Sequence, residues 1–192
     1  MRDMLAATSA FVNCVGGTNG DLPTELTLSD IQTVYAQLKG NSAYSFLTGI
    51  EGENRFGTGP VRDAYFALGH TDIIPTLESV QNFLQKWNYP AIANSLESEH
   101  GAVINTRWLL SPIASVTPNA SALGANVYNN FICGRESYAA IEQTNYSSRF
   151  IYRDPIHSDP LAQNATVGWK AAMAPRLLNS AWVFNLRSTL AA

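Results

Sequence analysis

Hydrophobic positions recur along this chain at two periods. Near the start, Met1, Met4, Leu5, Thr8, Phe11, Val12 and Val15 repeat at three and four. That spacing predicts an amphipathic helix over 1–15, closed by Gly16-Gly17 supplying positive φ at its C-cap. It has no preceding loop or cap and reads as the end of a longer helix. Leu28, Ile31, Val34, Tyr35 and Leu38 form the next stripe. Thr27 caps that helix, Asp30 lies in its first turn and Gly40-Asn41 stops it. A third helix is expected from Thr71 or Asp72 to about Lys86, with Ile73, Leu77, Val80 and Leu84 inward and Pro75 in its first turn. Shorter helices are expected over 91–99 and 135–141, the second introduced by Gly134.

The other period is two. Strands are expected at 61–69, 103–110 and 127–133, where β-branched and aromatic residues collect. Near the C-terminus, Val167, Trp169, Ala171, Met173 and Leu177 alternate with Gly168, Lys170 and Arg176. After Leu178-Asn179-Ser180-Ala181 the pattern shifts to Trp182, Phe184 and Leu186, with Asn185 and Arg187 opposite. Strict alternation marks strands with one buried face, here arranged as a long β-hairpin. Pro175 cannot donate to a ladder and marks an edge or a bulge. An extended arm from Arg149 and a turn-rich loop with two Asp-Pro steps, Asp154-Pro155 and Asp159-Pro160, precede it. Glycines 49, 52, 57 and 59 with Pro60 form a loop, and 111–126 is a Pro/Ser/Asn/Ala loop. Helices interleaved with strands and followed by a strand-rich end predict an α+β fold with a mixed or antiparallel sheet.

Composition changes this picture in one respect. Charged residues are 14% of the 192, against about 25% in a typical soluble domain. The net charge is -3. Few charges mean weak defence against association, which suits a subunit whose surface is covered by neighbours. Without a basic excess, a dedicated duplex-DNA binder is not expected. No apolar run approaches the roughly 18 residues that span a bilayer, and residues 1–5 lack a signal-peptide core. Cys14 and Cys133 fit no ligand pair and read as buried, reduced thiols.

Candidate chemistry is sparse. His70 and Asp72 stand two residues apart at a strand-to-helix step, the placement of a catalytic or metal pair. The same residues also suit a helix cap and a local hydrogen bond. His100 and His157 have no metal-like spacing, and Glu97, Glu99 and His100 read as a solvated helix end. Cys133-Gly134-Arg135 places a thiol beside a cation, though an inward-facing strand-end cysteine suits the pattern better. There is no G-x-S-x-G elbow and no phosphate loop. The sequons at Asn119, Asn145 and Asn164 read as chance in an Asn- and Ser-rich chain. Trp87, Tyr89, Trp108, Tyr128, Phe131, Trp169 and Trp182 lack interleaved Lys and Arg, so they read as core or interface anchors rather than base-stacking platforms. No catalytic residue, cofactor or metal is expected.

Three stretches carry a resemblance. Ser158-Asp159-Pro160-Leu161-Ala162-Gln163, Thr166-Val167-Gly168-Trp169-Lys170 and Leu177-Leu178-Asn179 with Trp182 resemble the C-terminal signature of tailed-phage major capsid proteins. Asp63 to Asp72 is similar to that family's strand ending in a His-Pro-Asp step, with Thr71 where proline is usual. Gly101 to Pro112 is similar to its glycine-led strand. The group resembled is the capsid family of the N-four-like podophages, with the Hong Kong 97 phage capsid fold. The resemblance implies a central mixed sheet flanked by helices, with a peripheral spine helix and long β-hairpin. It implies an axial domain at 42–147 and a peripheral domain from 1–41 with 148–192. The family's N-terminal arm and extended loop are not found in this chain, so either they are missing or the chain is a fragment.

The function implied is self-assembly into an icosahedral shell around the phage genome. Trp169, Trp182, Phe184, Arg176 and Arg187 are expected to anchor the core or subunit interface. The implied partners are identical subunits in pentamers and hexamers, a portal, decoration or scaffolding proteins, and double-stranded DNA held without sequence specificity. No membrane is implied, and assembly is expected in the host cytoplasm. The alternatives are an encapsulin-type nanocompartment shell, a small hydrolase using His70 and Asp72, and a β-rich decoration or carbohydrate-binding module.

Overall fold

The structure, a computed structural model, describes residues 2–8, 10–46, 64–89, 95–142, 148–155, 161 and 163–191. The glycine-rich loop at 49–60, the first residues of the strand expected from Val61, most of the helix expected at 91–99 and the loop around His157 lie outside them. In chain order the elements are α1 (Arg2–Thr8), β1 (Ala10–Asn13), α2 (Leu28–Gly40), β2 (Tyr65–Gly69), α3 (Ile74–Ser79), β3 (Leu84–Gln85), β4 (Glu99–Val103) and β5 (Thr106–Leu110). They continue with β6 (Val116–Thr117), β7 (Val127–Cys133), β8 (Tyr138–Glu142), β9 (Arg149–Arg153), β10 (Thr166–Lys170), β11 (Met173–Leu177) and β12 (Val183–Ser188).

Among the described residues a mixed sheet of eight strands runs β1-β12-β7-β2-β5-β4-β3, with β6 paired to β7. β1 lies parallel to β12 and β2 parallel to β5, while the other pairings are antiparallel. One face carries the larger core. Ile31, Val34 and Leu38 of α2 pack with Tyr65, Ala67, Ile73, Leu77, Val103, Trp108, Ile132 and Leu186. Burying these side chains removes apolar surface from water, and that drives the packing. On the opposite face Leu5, Phe131, Cys133 and Val183 cluster with Phe66, Leu68, Tyr138 and Leu177. The α+β class and the central mixed sheet read from the sequence are both present, and the helix from Leu28 has its expected stripe.

Several local expectations are corrected. The first helix stops at Thr8, and Ala10-Phe11-Val12-Asn13 forms a strand instead. The edge of β12 supplies hydrogen-bond partners there, so tertiary pairing overrides the helical spacing. Gly16 and Gly17 serve close approach rather than a C-cap. A Cβ at Gly16 would lie 2.2 Å from Thr27 Oγ1, and one at Gly17 would lie 2.3 Å from Glu25 Cδ.

The helix expected from Asp72 to Lys86 is a 3-10 turn at Thr71–Ile73 followed by the short α3. Ser79 Oγ donates to Thr76 O, a local bond that competes with helix continuation, and Val80 is already extended. The strand expected at 103–110 is a hairpin of β4 and β5 that turns at Ile104 (φ 56°) and Asn105. The chain at 95–99 runs through a turn into β4 rather than a helix. The helix expected after Gly134 is the strand β8. Ser137 Oγ donates to Gly134 O and Glu136 sits at φ 61°, closing a turn that delivers Tyr138 to β11.

The C-terminal strands do not pair as a hairpin. β10 pairs β9, β11 pairs β8, and β12 enters the large sheet beside β7. The one-face-buried expectation fails for β10, whose five residues are all exposed. It fails differently for β12, where Val183 and Asn185 are buried as well as Leu186. Pro175 sits in β11 opposite Ala140, in a two-stranded ribbon of edges that tolerates its missing donor.

The left-handed Glu136 gives a stability prediction. Its side chain is exposed and its contact with Arg135 is a 3.5 Å surface pair, worth little. The left-handed conformation costs an ordinary residue about 1–2 kcal/mol, and asparagine less. Glu136→Asn is therefore expected to gain about 1 kcal/mol, seen in a thermal melt as a rise of roughly 2–4 °C.

Candidate assembly surface

The strand-to-helix step at His70 is a structural cap. His70 Nδ1 accepts from the Asp72 N–H at 3.1 Å, and Nε2 lies 2.9 Å from Pro112 O. Both ring nitrogens are thus engaged by backbone groups. Asp72 Oδ2 accepts from the Tyr128 hydroxyl at 3.1 Å. The cap is therefore His70 itself, not Thr71 or Asp72, and the geometry holds β2, β7 and the loop after β5 in register.

The expected cluster of Glu97, Glu99 and His100 separates. His100 Nε2 lies 2.9 Å from Glu78 Oε1, with Phe83 stacked on the imidazole. Glu99 turns inward, 4% exposed, where Arg107 Nε donates to its Oε1 at 2.8 Å and Arg107 Nη2 to its Oε2. The Tyr89 hydroxyl and the Leu96 N–H also donate to it. Burial by itself would raise the Glu99 carboxyl, but Arg107 and the other donors outweigh it and hold the carboxyl below its ordinary value. Among the described residues no group of three or more His, Cys, Asp or Glu is placed to hold a metal. Both cysteines are buried free thiols, and burial pushes Cys133 up to about 12. Neither is an activated nucleophile at neutral pH.

The residues expected as anchors divide. Trp182 bonds Asn41 O through Nε1 at 3.1 Å and meets Tyr44 edge-on at 5.0 Å, while Asn41 Nδ2 returns a bond to Ala181 O. The end of α2 is thereby tied to the start of β12. Phe184 packs on the larger core. Arg187 lies over the Phe11 ring at 4.0 Å, a cation–π contact across β1 and β12. Arg176 is exposed on β11. Trp169 is 76% exposed and lies outside the core of the described residues.

Trp169 belongs to a set that pattern reading missed. In the β9–β10 ribbon, Trp169 opposes Phe150 and Val167 opposes Tyr152. Directly opposed residues share a face, so these four form one continuous apolar surface, each more than half exposed. The other face carries Arg149, Arg153 and Lys170 with Ile151, Gly168 and Thr166. The signal lies in Arg-Phe-Ile-Tyr-Arg at 149–153, an alternation of cations and aromatics within the expected arm.

A second apolar feature lies on the large sheet. Leu68, Leu109, Leu110, Ile113 and Phe131 with Leu5 line an open groove of about 430 Å³ rimmed by the serines at 98, 111 and 115. The described residues thus present two apolar surfaces, the ribbon face and the groove.

No protein-family model matches the sequence, and no curated protein matches it. Solved structures do. The capsid of Ralstonia phage GP4 superimposes with a TM-score of 0.60 at 15% identity, covering 97% of this chain and 53% of that one. The head of Helicobacter pylori bacteriophage KHP40 gives 0.57 at 10% identity, covering 99% and 63%. The acidic stable capsid of Helicobacter pylori bacteriophage KHP30 gives 0.52 at 10% identity, covering 98% and 64%. This chain therefore has a phage capsid fold, and it spans between half and two thirds of the length of the capsid chains it matches.

Proposed function

We propose that this chain is a major capsid subunit of a tailed bacteriophage, a non-enzymatic protein that self-assembles into the icosahedral shell enclosing the phage genome. The observation that carries the reading is the capsid likeness over nearly the whole chain. A low charge fraction and an exposed aromatic ribbon face support it, because both suit a surface that neighbouring copies cover. Its partners in this reading are identical subunits in pentamers and hexamers, with a portal, decoration or scaffolding proteins at the shell and double-stranded DNA inside. It belongs to the virion capsid and is assembled in the host cytoplasm. The two-part organisation, 1–41 with 148–192 beside 42–147, is part of the proposal. β1 and β12 join the two parts by entering the sheet built from the middle of the chain. Apolar burial between copies is the driving term, and symmetry repeats each contact.

The test is direct. Purified protein, concentrated and viewed by negative-stain microscopy alongside sedimentation, is expected to form rings, sheets or shells. Monodisperse monomers at every concentration would remove the reading.

A further inference from the structure

We propose that Asn19-Gly20 is a self-deamidating joint: the chain converts this asparagine to aspartate or isoaspartate and thereby loosens its hold on residues 189–190. Asn-Gly occurs once in the 192 residues. The fold places that one pair where the loop after β1 meets the end of β12. The step is internal to the chain and needs no second copy of it.

Asn19 is set for cyclisation. Its Oδ1 accepts the Asp21 N–H at 3.1 Å, the turn in which an asparagine side chain folds back over the next peptide. That bond keeps Cγ on the side of the Gly20 nitrogen and draws electron density from the carbonyl to be attacked. The amide has one orientation, because Nδ2 donates to Thr189 Oγ1 at 2.7 Å and to Leu190 O at 3.3 Å, and a backbone carbonyl can only accept. The nucleophile is free: the Gly20 N–H donates to no acceptor among the described residues. Gly20 is exposed at φ 75°, with no atom within 4 Å of the place a Cβ would take. Nothing crowds the ring as it closes.

The chemistry balances with water alone. The Gly20 nitrogen attacks Asn19 Cγ, and its proton passes through water to Nδ2. A C–N bond forms, the Cγ–Nδ2 bond breaks, and Nδ2 leaves as ammonia. Water then opens the succinimide at one carbonyl or the other, giving aspartate or isoaspartate. No electrons are transferred.

The atom lost is the one that holds the segment after β12. Both donations from Nδ2 disappear, and a carboxylate takes its place opposite Thr189 Oγ1 and Leu190 O. The new charge also stands beside Asp21 and Glu25, whose Oε2 accepts the Asn19 N–H at 3.0 Å. Like charges at that range repel. Glu25 pairs with Thr189 in an isolated parallel bridge, and Thr189 N donates to Thr24 O at 3.0 Å. Repulsion within 19–25 is therefore passed to the end of β12.

The test ages full-length protein at neutral pH, with the denatured chain as reference. Peptide mass mapping is expected to place the exchange of NH₂ for OH at Asn19, with an isoaspartate fraction revealed by isoaspartyl methyltransferase. The folded rate is expected within roughly tenfold of the denatured one, because held reactants offset the restraint of the fold. Asn19→Gln, whose longer side chain closes a larger ring, is expected to stay unmodified at this position. In the converted fraction the Thr189 amide should lose protection from hydrogen exchange while those of β2 and β5 keep theirs, and fresh Asn19→Asp should reproduce that pattern. Conversion confined to the denatured chain would overturn the site. Converted protein with an equally protected Thr189 amide would overturn the loosening.

Discussion

Glu99→Ala is expected to destabilise the subunit by about 3–5 kcal/mol, the cost of breaking a buried ion pair from one side. Alanine would leave the Arg107 guanidinium, with a side chain only 7% exposed, without its carboxylate. It would also leave the Tyr89 hydroxyl and Leu96 N–H without their acceptor. At roughly 2–4 °C per kcal/mol for a domain of this size, the melting temperature falls by about 10 °C. Replacing both partners together, Glu99→Leu with Arg107→Leu, is expected to recover most of the loss, since no charge is then stranded. A double variant as unstable as the single one would mean the pair is not the source of the effect.

The same pair fixes the sign of an acid effect. The folded carboxyl of Glu99 is held below its ordinary 4.5. Its contribution is therefore complete above that value and is lost as pH falls through the depressed folded value. Wild-type stability should drop steeply below about pH 4.5, and Glu99→Gln should flatten that part of the curve. Glu99 opposes Leu109 across β4 and β5, so the loss should appear first at this edge of the sheet.

How much of this was legible in the sequence follows from where each residue's partners lie. α2 was readable because its stripe, its cap and its stop are local, and β7 because seven successive residues suit a strand buried on both faces. β1 was not readable. Ala10 to Asn13 continue a helical spacing, and only a β12 edge more than 170 residues away makes them a strand. The C-terminal alternation was real, but period two says only that a segment is extended. It does not say which strand it pairs, and here three successive segments pair with three different partners. Nor does alternation say that the apolar face is buried within the subunit. In β10 it is exposed. The inward turn of Glu99 had no local signal either, because Arg107 reaches it only once β4 and β5 fold back at Ile104.

The second large effect is expected at Asp30, where the two ends of the chain are held together. Its Oδ1 accepts the N–H groups of Val15 and Gly16 at 3.1 and 3.2 Å. Its Oδ2 accepts the Thr27 N–H at 3.3 Å and the Thr27 hydroxyl at 2.6 Å. One buried carboxylate thus caps α2 and fastens the chain leaving β1. The next residues are stitched to the C-terminal end, with Cys14 N bonded to Arg187 O, Thr189 N to Thr24 O, and Asn19 Nδ2 to Thr189 Oγ1. Hydrogen bonds to a charged group contribute about 1.5–3 kcal/mol each, and buried donors left bare cost more. Asp30→Ala is therefore expected to cost about 2–4 kcal/mol overall, part being regained by water reaching the opened loop. Asp30→Asn keeps one acceptor but turns an NH₂ toward the Thr27 donors, so its loss should be intermediate. Hydrogen exchange locates the damage: the amides of Val15 and Gly16 should lose protection, while those of β4 and β5, which share no bond with Asp30, should keep theirs. Gly16→Ala should open the same place, because a Cβ there would meet Thr27 Oγ1 and Ser29 Oγ within 2.4 Å. Val15 and Gly16 amides that stayed protected in the alanine variant would show that pairing of β1 with β12 alone holds the chain ends, with Asp30 reduced to an ordinary helix cap.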